Sequence, residues 1–246
     1  MKKINLLSLI TFLFINNLVS QIISVKKPPI DIYKLPAFYG CGFSTVSDIN
    51  NNSYKTVQIG KQCWMQSNLK VSKYRNGAAI PTGLIDGAWA NTTSGAYAII
   101  DNVNANDAIY GKLYNWWAVK DGRGICPTGW HVPSDAEWTT LTTYLGGEGV
   151  AGGKMKSTGI AYWNSPNEGA TNVSGFSVLP GGCRLSDGSF LYIRNAAFFW
   201  SATELASNAA YSRTLDANLG GVFNGHSTSS IGGFRSVGGS VRCLRD

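Results

Sequence analysis

At 246 residues, with eight tryptophans and eleven tyrosines, the chain is long enough to bury a substantial core and too aromatic to be disordered. Only 14% of it is charged and 29 residues are glycine, which predicts abundant loops and turns. The net charge of +7 is scattered, with no Lys/Arg run longer than the pair Lys26-Lys27, so the clustered basic footprint that nucleic-acid binding needs is missing.

Residues 1–20 read as a secretory signal: Lys2-Lys3 precede an apolar run from Leu6 to Ile15 that is too short to span a bilayer. Cleavage is expected near Ser20-Gln21, and no later run approaches the length of a membrane helix, so no stable membrane span is expected after signal removal. Residues 21–47, with Pro28-Pro29 and Pro36, form an extended leader. The remaining residues, 48–246, are read as one domain. Asp48 to Asn52 is turn material, and Tyr54 to Ile59 alternates as a strand. In Gln62-Cys-Trp-Met-Gln-Ser-Asn-Leu-Lys70, Trp64 and Leu69 are expected in the core. Gly77 to Asn106 lacks a pattern and reads as a long loop. Within Tyr110 to Val119, Leu113, Trp116 and Trp117 then recur at i, i+3 and i+4, which predicts a helix that Lys120 to Gly124 ends.

The best-determined element follows. Ser134 is a natural N-cap and Glu137 can close a capping box with it, while Asp135 and Glu137 complement the helix dipole. Trp138, Leu141 and Leu145 make one apolar stripe, and Gly146-Gly147 stops the helix. A shorter helix is expected between Gly147 and Thr158, then a loop from Trp163 to Asn172. Short strands are expected at Phe176–Pro180, Phe190–Ile193, Phe198–Thr203, Ala209–Leu215 and Ser236–Leu244. Helices followed by a strand-rich half predict an α+β protein.

The stretch Cys126-Pro-Thr-Gly-Trp-His-Val-Pro-Ser-Asp-Ala-Glu-Trp138 resembles the signature of the Fibrobacter succinogenes major paralogous domain, a secreted bacterial family of largely unassigned function. The Gln62–Lys70 stretch and the terminal Ser240-Val-Arg-Cys-Leu-Arg245 carry the resemblance across residues 48–246. The Pro-Ser-Asp-Ala-Glu-Trp core is also similar to a motif of formylglycine-generating, sulfatase-modifying enzymes. That resemblance implies a C-type-lectin-like fold: two main helices followed by a short-stranded, mainly antiparallel sheet, rich in loops. Five cysteines do not by themselves fix a connectivity. The resemblance implies Cys41–Cys63, with Cys126–Cys243 as the second bridge and Cys183 left over.

The sulfatase-modifying enzymes act through two closely spaced cysteines shortly before the terminal strand, whereas Ser201 to Arg242 contains none. The resemblance therefore does not carry that activity, and the chain is read as non-enzymatic. The two histidines, His131 and His226, show no metal-ligand spacing, and a structural hydrogen bond is expected for His131. Glu168, Asp187, Glu204 and Asp216 supply carboxylates that the sequence places in no catalytic pair. The turn at Asp48 departs from the family's Asp-x-Asp-Gly-Asn, and the Glu-Pro-Asn and Trp-Asn-Asp signatures of calcium-dependent sugar binding are missing. Calcium thus has no sequence support, and no metal or cofactor is expected.

C-type-lectin folds place recognition on long loops and the final sheet. By that resemblance the ligand-binding residues are Trp163, Asn164, Asn167, Glu168, Arg194, Glu204, Tyr211, Arg213 and Asn224, with Asn218 and His226 in the same territory. Aromatic faces and amides suit a glycan or a protein surface. The expected function is non-catalytic recognition of a glycan or surface protein by a protein secreted from a bacterium, or held at its surface or in its periplasm. The alternatives are a divergent enzyme related to the sulfatase-modifying oxidases and a structural envelope protein.

Overall fold

The computed structural model describes residues 40–225 and 234–246, so the signal, most of the leader and His226 lie outside the described residues. Tyr39–Asp246 forms one unit of mixed helix and mostly antiparallel sheet. Its first sheet contains β1 (Thr45–Ser47), β2 (Ser53–Ile59), β3 (Gln62–Met65), β6 (Trp130–His131) and β12 (Leu244–Arg245). The order is β1-β2-β3-β12-β6, and the terminal strand is the seam: Leu244 is in register with Trp64 on one side and His131 on the other. The leader therefore ends earlier than expected, because Thr45, Val46 and Ser47 pair with Lys55, Tyr54 and Ser53.

The second sheet is built from β7 (Gly181–Arg184), β8 (Phe190–Ile193), β9 (Ala196–Ala206), β10 (Ala209–Asp216) and β11 (Phe223–Asn224). Its order is β11-β10-β9-β7-β8, antiparallel except where Gly182 of β7 pairs with Ala197 of β9. The expected strand at Phe176–Pro180 is not one: Phe176 turns into the core, and only Val178 bridges, to Lys156. Ser236–Leu244 likewise makes isolated bridges before β12 begins.

Helices α4 (Asp135–Tyr144) and α5 (Glu148–Met155) lie between the sheets in sequence. The Ser134 hydroxyl accepts from the Glu137 amide and the Glu137 carboxylate accepts from the Ser134 amide, closing the capping box. Trp138, Leu141 and Leu145 are buried. The Trp138 ring lies 4.8 Å from Trp64, 5.9 Å from Phe176 and 5.6 Å from Phe199. This aromatic cluster joins the helix to both sheets, and each such pair adds about 0.5–1.5 kcal/mol beyond area burial.

Two expectations before α4 are corrected. Residues 77–106 are not one loop: they contain α1 (Asp86–Asn91), β4 (Tyr97–Ala98), a 3-10 turn at Ile100–Asn102 and the start of α2 (Ala105–Tyr110). Trp89 anchors them in a small cluster with Ala96 and Ala98. These elements are too short to produce a periodic signal. Nor is Tyr110 to Val119 one helix. Gly111, at φ +74°, interrupts it where a Cβ would stand 2.9 Å from the Leu69 carbonyl oxygen. Leu113 instead belongs to β5 (Leu113–Tyr114), paired with β4, and helix resumes after Gly111 only at α3 (Trp116–Val119), capped by the Asn115 side chain.

Two disulfides complete the frame, and they join the cysteines that the resemblance pairs. Cys41–Cys63 ties the end of the leader to β3, and Cys126–Cys243 ties the chain before β6 to the terminal strand. Among the described residues no helix is long and apolar enough to cross a membrane.

Candidate recognition face

Strand β8 ends in a turn in which Tyr192 and Arg194 both adopt left-handed backbone, at φ 66° and 67°. Such a conformation costs a non-glycine residue about 1–2 kcal/mol, so surrounding contacts must hold it. The Asn195 amide donates to the Tyr192 carbonyl at 2.9 Å, and the Arg194 amide donates to Pro180 at 2.9 Å. Beneath the turn, Gly182 has φ +64°, and a Cβ there would lie 2.4 Å from the Leu191 carbonyl oxygen. Only glycine fits that approach.

The Arg194 guanidinium then clips the 160–164 loop to the turn. Nε donates to Asn164 Oδ1 at 3.2 Å, Nη1 to the Ala161 carbonyl at 2.8 Å and Nη2 to the Ile160 carbonyl at 3.1 Å. Asn164 answers with its amide to the Arg194 carbonyl at 2.7 Å and its Nδ2 to Asn195 Oδ1 at 2.8 Å. Around this clip stand exposed side chains: Ile160 is 62% exposed, Tyr162 42%, Leu191 43% and Tyr192 40%. Tyr162 makes an edge contact with Tyr110 at 6.5 Å, and Tyr192 lies 5.9 Å from Phe198. Burial pushes the Tyr110 phenol up against the pull of the Arg194 cation. The result is a fixed polar centre with aromatic and aliphatic side chains around it.

Of the residues expected to bind ligand, the structure brings Asn164 and Arg194 together here. Trp163 is removed from the surface set. It is 0% exposed, its indole donates to the Val178 carbonyl at 3.0 Å, and Lys156 Nζ lies 5.3 Å from its ring. Asn167 is also buried, with Nδ2 donating to Ser157 and Gly159 carbonyls at 2.9 Å each. Arg213 is fully buried and pairs with Asp135 at 2.6 Å, fastening β10 to the start of α4, with Asn224 nearby at 3.5 Å from the same carboxylate. Glu204 pairs with Arg235, whose guanidinium also stacks on Trp116 and Trp117. Tyr211 is half-buried on β10, Glu168 is exposed, and Asn218 folds back onto Asp216. Sequence reasoning missed Tyr162 and Tyr192. No local signal singled them out, because Tyr162 faces outward only once its neighbour Trp163 is buried, and that burial depends on the distant Val178 carbonyl and Lys156.

Two further polar groups lie away from this face and are held by bonds within the fold. Burial lowers the Lys156 ammonium to about 8, and it donates to the Asp216 and Leu219 carbonyls at 2.9 Å each. The Asp48 carboxylate, in the turn compared with calcium loops, accepts from the Asn50 and Asn52 amides, Asn52 Nδ2 and the Tyr54 hydroxyl. Four protein donors thus occupy both of its oxygens. Among the described residues no group of three or more His, Cys, Asp and Glu is placed to hold a metal ion.

The model of one protein family, the Fibrobacter succinogenes major domain, matches residues 57–245. No curated protein and no solved structure matches the chain.

Proposed function

The chain belongs to the Fibrobacter succinogenes major domain family, and from that premise we propose that it is an exported, non-catalytic recognition protein of C-type-lectin-like fold. Its ligand is a surface protein, engaged through the face around Arg194. The observation that carries this reading is the Arg194–Asn164 clip, which fixes a two-segment surface bearing exposed Tyr162 and Tyr192. Rigid aromatic side chains on a preorganised frame give contact area at low entropic cost. Ile160 and Leu191 favour a protein over a sugar, because aliphatic side chains offer nothing to hydroxyl groups. Export is supported by the two disulfides, which persist in oxidising compartments, and by the amino-terminal sequence pattern. A non-catalytic role is supported by Lys156, whose shifted ammonium is committed to fold-stabilising bonds.

The test is binding of the mature chain to a panel of bacterial envelope proteins and to a glycan array. A protein partner should lose about tenfold or more in affinity with Tyr162→Ala and with Arg194→Ala, and bind unchanged to Glu204→Ala. Binding that survives the first two substitutions, or responds only to Glu204→Ala, would move recognition off this face.

A further inference from the structure

A concavity of about 620 Å³ lies among the segments that the sequence left without pattern. Its walls come from residues 82–86, β4 and the 99–104 turn, with Arg184 of β7 at its base. We propose that this groove is a binding site for a neutral oligosaccharide, independent of the face around Arg194.

The argument begins with Arg184, which is 1% exposed. Its guanidinium lies 4.5 Å from the Trp89 ring and 5.0 Å from Phe190. Nε donates to the Gly188 carbonyl, and Nη2 donates to the Leu84 carbonyl and to Asp86 Oδ1. These bonds use Nε and Nη2 and fix the guanidinium at the base of the groove. Asp86 spends Oδ1 on Arg184 and keeps Oδ2 free, with its side chain largely exposed. Gly188 secures the position of that carboxylate, since a Cβ there would come within 2.4 Å of the Asp86 Cα. Thr82, Asn102 and Asn104 add a hydroxyl and two amides that bond to no other described residue, and Tyr97 adds an aromatic ring.

This combination selects the ligand class. The cation of Arg184 is matched by Asp86, and Lys112, which lies 5.1 Å from the Tyr97 ring, is matched by Asp107 at 2.5 Å. A paired lining holds no net charge for an anionic ligand, and the free Asp86 oxygen repels one. Free donors and acceptors beside an aromatic ring suit the hydroxyls and apolar ring face of a pyranose. The volume falls within the range of about 300–1,000 Å³ usual for small-molecule sites.

The experiment titrates the folded mature chain by calorimetry with neutral cello-, xylo-, manno-, malto- and chito-tetraose, and with tetragalacturonate as the charged control. At least one neutral tetrasaccharide should bind saturably and tetragalacturonate should not. Asn104→Ala and Thr82→Val remove groups that the fold does not use, and each should weaken binding by threefold or more, on the order of one lost hydrogen bond. Tyr162→Ala should leave sugar binding unchanged. The proposal is overturned if no neutral tetrasaccharide binds, if tetragalacturonate binds as well, or if both groove variants bind like wild type. Sugar binding lost in Tyr162→Ala but kept in the groove variants would also overturn it. A failure to find a protein partner at the Arg194 face would leave this result intact.

Discussion

Arg242 and Asn68 meet in the core: the arginine Nε donates to Asn68 Oδ1 at 3.0 Å. The two residues lie far apart in sequence, one in the Gln62–Lys70 stretch and one in the terminal strand segment, and each is buried. Among the described residues the guanidinium pairs with no carboxylate; it also donates to the Phe176 and Ser177 carbonyls and stacks 4.3 Å from the Phe176 ring. Burial lowers its pKa to about 9, so the cation persists at neutral pH. Asn68 in turn donates through Nδ2 to the Tyr110 carbonyl at 2.8 Å and Ser240 Oγ at 3.1 Å. Asn68→Ala therefore strips a buried cation of one acceptor and two oxygens of their donor. The expected cost is about 2–3 kcal/mol, read as a lower urea midpoint with an unchanged slope. A change below about 0.5 kcal/mol would mean that water or rearrangement replaces the asparagine.

The two disulfides should contribute unequally. Cys41–Cys63 spans 22 residues and Cys126–Cys243 spans 117. Loop-closure entropy gives about 3 kcal/mol for the shorter loop and about 5 kcal/mol for the longer. Replacing Cys126 and Cys243 together by alanine should lower the melting temperature more than replacing Cys41 and Cys63 together. The reverse order would show that native contacts at the leader, not loop closure, decide the effect.

Cys183 should be silent in the native protein. Its side chain is fully buried, and burial pushes the thiol up to about 12, so thiolate is scarce at neutral pH. A thiol reagent should label it only in denaturant, with one equivalent per chain. Rapid labelling of the folded protein would show that β7 opens readily.

The capped helix α4 was readable because its cap, stripe and stop are all local in sequence. Other features depend on partners that the chain brings from far away. Arginine is ordinarily an exposed residue, yet Arg184, Arg213 and Arg242 are buried because remote oxygens receive them. No local pattern announces that, so Arg213 read as a surface group. Trp163 sits in a loop between polar neighbours and looked like a stacking platform; the Val178 carbonyl and Lys156 make it core. The groove over Tyr97 was invisible for a related reason: its walls are short elements fixed by Trp89 and Arg184, and no hydrophobic period links them.

His131 links the capping box to the chain's last residue, and this makes its contribution depend on pH. Nδ1 lies 2.6 Å from Asp246 Oδ1 and Nε2 lies 3.0 Å from Glu137 Oε1. Burial acts to lower its pKa, but hydrogen bonds and charge from Asp246 and Glu137 outweigh that and raise it above 6.5. A folded pKa above the unfolded one means that the stabilisation is fully present below about pH 6.5 and is lost as pH rises through the folded value. For Glu137, burial raises the pKa, but bonds from Ser134 and His131 outweigh it and bring it below 4.5. Its contribution is present above that value and is lost as acid protonates the folded carboxylate. The favourable window therefore lies between the two ordinary values, near pH 5 to 6. The side chains are about a third exposed or more, so the effect is within about 0–1 kcal/mol. Wild type should exceed His131→Asn in stability most clearly in that window, and the difference should shrink toward pH 8.5 in paired urea titrations. A difference that stays flat from pH 5 to 8.5 would show that the imidazole serves as a neutral hydrogen-bonding spacer, with no ionic part in joining β6 to α4.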